Sequence, residues 1–203
     1  MTPSRHRSIP PVLALLALLA TEPLLAGSVR VAFEGTVTST LSITEIASGS
    51  RLHGWFTYDP TVADSNPADG ALGLYPAVGA AEVEVAGHRY RTGHGTISVM
   101  NDAVIDPRNP RPLDLFGLNA GPPLAGDALS GLPPFQLEIN LADTSASVFD
   151  SDRLPAKPPA ASRFDIRSLG PSGTAGGRLL FRSAAKPVPG AVQFSVDRLE
   201  VKP

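Results

Sequence analysis

The chain has 203 residues, of which 42% are hydrophobic and 18% charged, with a formal net charge of −2 and no cysteine. That length suits one globular domain, which can bury roughly 70% of its unfolded surface. The balance of charge excludes an electrostatic nucleic-acid binder, and the missing thiols exclude disulfides, thiolate metal sites, cysteine nucleophiles and a lipidated cysteine.

The N-terminus reads as an address. Arg5 and Arg7 precede an unbroken apolar run from Val12 to Ala20, which ends at Thr21, Glu22 and Pro23. A membrane span needs about 20 apolar residues. The shorter run therefore predicts a signal helix over residues 1–27, removed on export, and no stable membrane span after processing. The expected destination is the periplasm or the cell exterior.

From residue 28 onward the chain reads as a single domain to residue 203. Val29, Val31, Phe33, Gly35 and Val37 alternate with Arg30, Ala32, Glu34 and Thr36, the period of a strand with one buried face. Residues 51–58 repeat the pattern, with Leu52, Gly54, Phe56 and Tyr58 opposite His53, Trp55 and Thr57, and Asp59-Pro60 stops the strand. Residues 60–76 are rich in Asp, Asn, Pro and Gly and read as a long surface loop. Two short alternating runs then flank Ala86-Gly87 as a hairpin, and further strands are expected over 95–101 and 113–118. The cleanest alternation is Phe135, Leu137, Ile139 and Leu141 against Gln136, Glu138 and Asn140. After a Pro-rich loop at 150–162, strands are expected over 163–169, 177–182 and 192–201.

About nine or ten strands separated by turn-rich loops, with no helical period, predict an all-β domain, a sandwich or flattened barrel. The specific expectation is a single antiparallel, jelly-roll-like β-sandwich.

Several short motifs carry a resemblance: Gly54-x-Phe56-Thr57-Tyr58-Asp59-Pro60, Asp64-Ser65-Asn66-Pro67, Gly73-x-Tyr75-Pro76, and Leu154-Pro155-x-x-Pro158-Pro159 leading to Phe164-Asp165. Together with Gly35-Thr36-Val37-Thr38 they resemble exported bacterial proteins of the PEP-CTERM sorting class, over most of residues 30–201. The resemblance implies export and a β-sandwich, and it brings no catalytic residues. The chain departs from that class at Glu200-Val201-Lys202-Pro203, where the sorting tail would stand, so surface sorting by that route is not expected.

Candidate sites are sparse. Asp64, Asn66 and Asp69 suggest a calcium loop, because hard cations gather carboxylate and amide oxygens on one turn. Their spacing does not fit an EF-hand, and a turn in which the side chains bond their own backbone accounts for them as well. Asn101, Asp102 and Asp106, or Asp150 and Asp152, are weaker groupings of the same kind. His53, His88 and His94 lack the spacing of a zinc site. No Gly-x-Ser-x-Gly elbow and no phosphate-binding glycine loop occurs. Trp55, the sole tryptophan, falls opposite the Phe56 face; it is either a platform for a ligand or buried beneath a covering loop.

The expectation is thus an exported, non-enzymatic protein of the cell envelope or secreted matrix, adhesion included. Its partners would be extracellular polysaccharide or envelope components, with no cofactor. The alternative is a carbohydrate-binding module using Trp55, with calcium at Asp64, Asn66 and Asp69 as the candidate cation.

Overall fold

The computed structural model describes residues 27–202 apart from 106, 109, 166, 168–175, 186 and 187. The expected signal helix lies outside the described residues, of which Gly27 is the first. Nine strands follow: β1 (Val29–Leu41), β2 (Arg51–Tyr58), β3 (Leu72–Val85), β4 (His88–Thr92), β5 (Gly95–Ala103), β6 (Leu113–Ala120), β7 (Pro134–Asp143), β8 (Gly176–Phe181) and β9 (Gly190–Lys202). A single 3-10 turn, Ala161–Arg163, is the helical element among the described residues, and it occupies the start of the strand expected over 163–169.

These strands do not form a sandwich. Every neighbour in the sheet is antiparallel, β9 returns to pair along β1, and β2 pairs β3, so that eight strands close into a barrel. The ninth, β4, continues the line of β5 along the same flank of β3: Leu72 to Val78 face β5, and Ala81 to Val85 face β4. Alternation fixes which side chains are buried but not whether they face a second sheet or the far wall of their own, so the same pattern serves both architectures. Closure needs strong coiling, which β-bulges supply. Two interrupt the β1–β9 ladder, between Glu34 and Gly35 and between Val37 and Ser39, and another lies between Tyr75 and Val78 on β3.

The interior is packed with side chains. Phe33, Phe56, Phe116, Phe181, Phe194, Tyr58 and Tyr90 are fully buried, with Val31, Leu52, Ile97, Leu118, Ile139 and Val192 between them. Each such side chain contributes about 1.5–3 kcal/mol of transfer free energy. Room for the rings comes from inward glycines on the neighbouring strand. Phe33 is paired across the ladder with Gly54, and Phe194 with Gly177. A Cβ at Gly54 would stand 2.4 Å from the Phe33 ring, and one at Gly177 would stand 1.9 Å from that of Phe194. Phe33 and Phe194 then stack on one another, their centroids 6.5 Å apart.

The loops close both ends of the barrel. At one end Asp114 and Asp143, paired across β6 and β7, are buried and bind the chain that folds over them. Asp114 accepts backbone N–H from Asp102 at 3.0 Å and from Val148 and Phe149 at 2.8 Å. Asp143 accepts from Ser145 and Ser147, at 3.1 and 2.9 Å. Burial would raise the pKa of Asp143, but these bonds outweigh it and hold the carboxyl below its usual range. Tyr58 and Tyr75 donate to the carbonyls of Pro155 and Asp152. The other end is filled by Ile43, Ile46, Leu124, Leu129 and Leu132.

Residues 60–76 are not wholly loop, since β3 already begins at Leu72. Gly73 and Pro76 hide the strand in the sequence. Gly73 is buried, and glycine suits the position because a Cβ there would meet the Asp152 carbonyl at 2.4 Å.

Candidate functional site

With the inward positions filled, the outward positions of β9, β1 and β2 make the surface on which a ligand can sit. Cross-strand pairing sets them in rungs. Lys202, Arg30 and Thr57 form one, Glu200, Ala32 and Trp55 the next, and Arg198, Glu34 and His53 the third. Ala32 is the shortest side chain in this array. The hollow above it, about 510 Å³, is bounded by Trp55, Arg30, Glu34, His53, Arg198 and Glu200.

Trp55 is half-buried, and the Arg30 side chain lies over its ring. The guanidinium carbon of Arg30 lies 4.1 Å from the centre of the indole ring. Stacking of this kind contributes about 0.5–1 kcal/mol at exposed sites. The other cations of the wall are ion-paired. Arg198 reaches Glu200 at 2.6 Å and Glu34 at 3.6 Å, and Lys202 reaches Glu200 at 3.2 Å. Hydrogen bonds from Arg198 and Lys202 hold the Glu200 carboxyl below its ordinary range. Beyond Trp55 the ladder continues onto β3 and β4, where Arg89 meets Glu84 at 2.9 Å and Glu82 at 3.7 Å.

Asp64, Asn66 and Asp69 lie in the loop before β3, where one oxygen of each aspartate and the amide nitrogen of Asn66 serve the turn. Asp64 Oδ1 accepts from the N–H groups of Asn66 and Leu74, each at 2.8 Å. Asp69 Oδ1 accepts from Ala71 N–H at 3.0 Å, and the Asn66 amide donates to the Leu72 carbonyl at 3.2 Å. Among the described residues no three acidic or histidine side chains converge as a metal site. Asp106 lies outside the described residues. The three histidines are dispersed: His53 is in the groove, His88 is 3.7 Å from Asp127, and His94 is held between Thr92 and the Pro122 carbonyl.

Of the residues singled out in the sequence, Trp55 and His53 line the hollow with other chemistry-bearing side chains. Arg30, Glu34, Arg198, Glu200 and Lys202 were not singled out. Their outward direction is legible from alternation on β1 and β2, but β9 joins them only through closure across the whole chain. The buried pair Asp114 and Asp143 was likewise missed, because each stands as an ordinary polar residue at a strand end.

The molecule is a closed, eight-stranded, up-and-down antiparallel barrel with a filled interior and a charged, tryptophan-bearing outer groove. Comparison with known protein families, curated proteins and solved structures finds no match.

Proposed function

We propose that this chain is an exported, non-catalytic protein of the cell envelope or secreted matrix, and that it works by holding an extracellular polysaccharide against its outer wall. The observation that carries the binding reading is the position of Trp55. It faces outward, in a hollow also lined by the polar side chains of Arg30, Glu34, His53, Arg198, Glu200 and Lys202, instead of joining the aromatic core. Sugar sites combine an amphipathic ring with a few fixed polar groups. The export reading rests on the basic start and apolar run of residues 5–20 and on the resemblance to PEP-CTERM-class proteins.

A glycan array probed with wild type and Trp55→Ala, each with and without EDTA, tests the proposal. Wild type is expected to give a signal that the variant loses. Since the oxygens of Asp64 and Asp69 serve backbone N–H groups, the signal should survive EDTA; loss on chelation would favour calcium at Asp64, Asn66 and Asp69. Binding that persists in Trp55→Ala would remove the groove from the account. Recovery of the intact chain from cytosol would sink the export reading.

A further inference from the structure

Of the five arginines that β1, β2, β4 and β9 set on the wall around Trp55, four are within reach of carboxylates and one, on β1, is not. Arg51 pairs with Asp197, Arg89 with Glu84, Arg91 with Glu82 and Arg198 with Glu200. Among the described residues Arg30 has no carboxylate partner; its contact is the face of Trp55. That contact has a directional consequence. A guanidinium carries its five N–H donors in the plane of the group, and stacking occupies the face, so none of the donors is consumed. Arg30 lines the hollow over Ala32 while its guanidinium carbon rests over the ring, so its donors are available to a ligand seated there. A fork of this geometry matches an oxyanion bidentately.

The remaining side chains narrow the class of anion. Lys202 stands directly across the ladder from Arg30 and adds a second cation to that rung. Glu34 and Glu200 line the same hollow and present acceptors. A polymer of phosphates alone would bring no hydroxyl donor to those carboxylates and would only repel them, in a chain whose net charge is already −2. A polymer that alternates one carboxylate with several hydroxyls fits both signs: the anion goes to Arg30, and the hydroxyls donate to Glu34 and Glu200. Resting on the saccharide reading above, we infer that the groove recognises a uronic-acid polysaccharide, with Arg30 taking the carboxylate and Trp55 holding Arg30 in place.

The probe is an oligogalacturonate titrated into the full chain by calorimetry at low salt. Emission of Trp55, the sole tryptophan, reports whether binding reaches the groove. Maltooligosaccharide of equal length and inorganic polyphosphate serve as neutral and fully anionic controls. Oligogalacturonate is expected to bind at least tenfold more tightly than either control, to shift the indole emission, and to weaken as salt rises. Arg30→Gln should lose at least tenfold with an unchanged melting temperature. Trp55→Phe, which keeps a ring beneath the guanidinium, should retain more affinity than Trp55→Ala. Arg51→Gln removes the same charge from the same wall outside the groove, and it should bind as wild type does.

An equal loss in Arg51→Gln and Arg30→Gln would make the attraction diffuse and overturn the assignment. Tighter binding of polyphosphate, or binding without change in emission, would do the same. Preference for maltooligosaccharide would overturn the uronate class while leaving the saccharide reading intact. Failure to bind any saccharide would remove both.

Discussion

The tightest constraints in this protein sit at single inward glycines. Gly177 lies across the ladder from Phe194, whose ring atoms would stand 1.9, 2.2 and 2.3 Å from a Cβ at that position. The ring is buried and stacked on Phe33, so it cannot swing away cheaply. Gly177→Ala should therefore destabilise by about 1–3 kcal/mol through overpacking. Chemical denaturation measures it, and the double variant Gly177→Ala/Phe194→Leu should cost less than the sum of the two singles, because the smaller side chain vacates the contested space. Additive costs would mean that the glycine serves the backbone instead. The same residues show where the sequence stops being legible. Gly35, Gly54 and Gly177 all fall on the inward parity that alternation predicts, yet nothing local says that a ring from another strand fills the space. Trp55 is the converse: parity sends it outward, while its cover, Arg30, comes from a strand 25 positions earlier in the chain.

At the scale of elements, the barrel is closed at its ends by loops that are pinned through carboxylates. One pin is Glu45, between β1 and β2, which accepts from Ser130 N–H at 2.5 Å and Ser130 Oγ at 2.7 Å, and from Thr44 N–H at 3.0 Å. Ser130 and Gly131, both with positive φ, form the two-residue turn between the bridged Leu129 and Leu132. The clamp thus ties a small hairpin of the 121–133 segment to the 42–50 segment. Bonding to Ser130 brings the Glu45 pKa down to about 2 from 4.5. A folded-state pKa below the unfolded one gives stability that is fully present above pH 4.5 and is lost as pH falls toward 2. The difference in urea midpoint between wild type and Glu45→Gln should accordingly be constant at neutral pH and shrink between pH 4.5 and 2. A difference that stays level across that window would show that the charge of Glu45 contributes nothing. Such pins account for the strands and loops that the sequence does and does not reveal. The strands over 51–58 and 135–141 are plain because alternation is local, and the Ala86-Gly87 hairpin is plain because Ala86 and Gly87 both take the positive φ that such a turn requires. The start of β3 at Leu72 is obscured by Gly73 and Pro76. The loops look featureless because two of the groups that hold them, Asp114 and Glu45, act across long sequence separations.

The whole molecule turns on the seam between β1 and β9. In a sandwich both strands could lie at edges or in different layers; here they are neighbours along Arg30 to Leu41, and their pairing joins the beginning of the domain to its end. The outer wall carries the cross-strand ion pairs and the inner wall the apolar rings, the reverse of a barrel whose outside faces lipid. Since the native chain has no cysteine, a pair introduced across the seam is unambiguous. Thr36 and Ser195 are Cα partners with outward side chains, within the separation that a disulfide spans. Thr36→Cys/Ser195→Cys should oxidise to a monomeric cross-linked form, seen as faster migration on non-reducing electrophoresis under denaturing conditions. Because the bridge would close nearly the whole domain into one loop, chain entropy predicts a gain of up to about 5 kcal/mol in unfolding free energy, reversible by reductant. Moving one partner to the inward Val196, as in Thr36→Cys/Val196→Cys, places the two sulfurs on opposite faces of the wall and should prevent the bridge. If the outward pair stays reduced, or links only between molecules, β1 and β9 are not neighbours; the rungs Arg30–Lys202 and Ala32–Glu200 then dissolve, and the groove that depends on them is lost with the barrel.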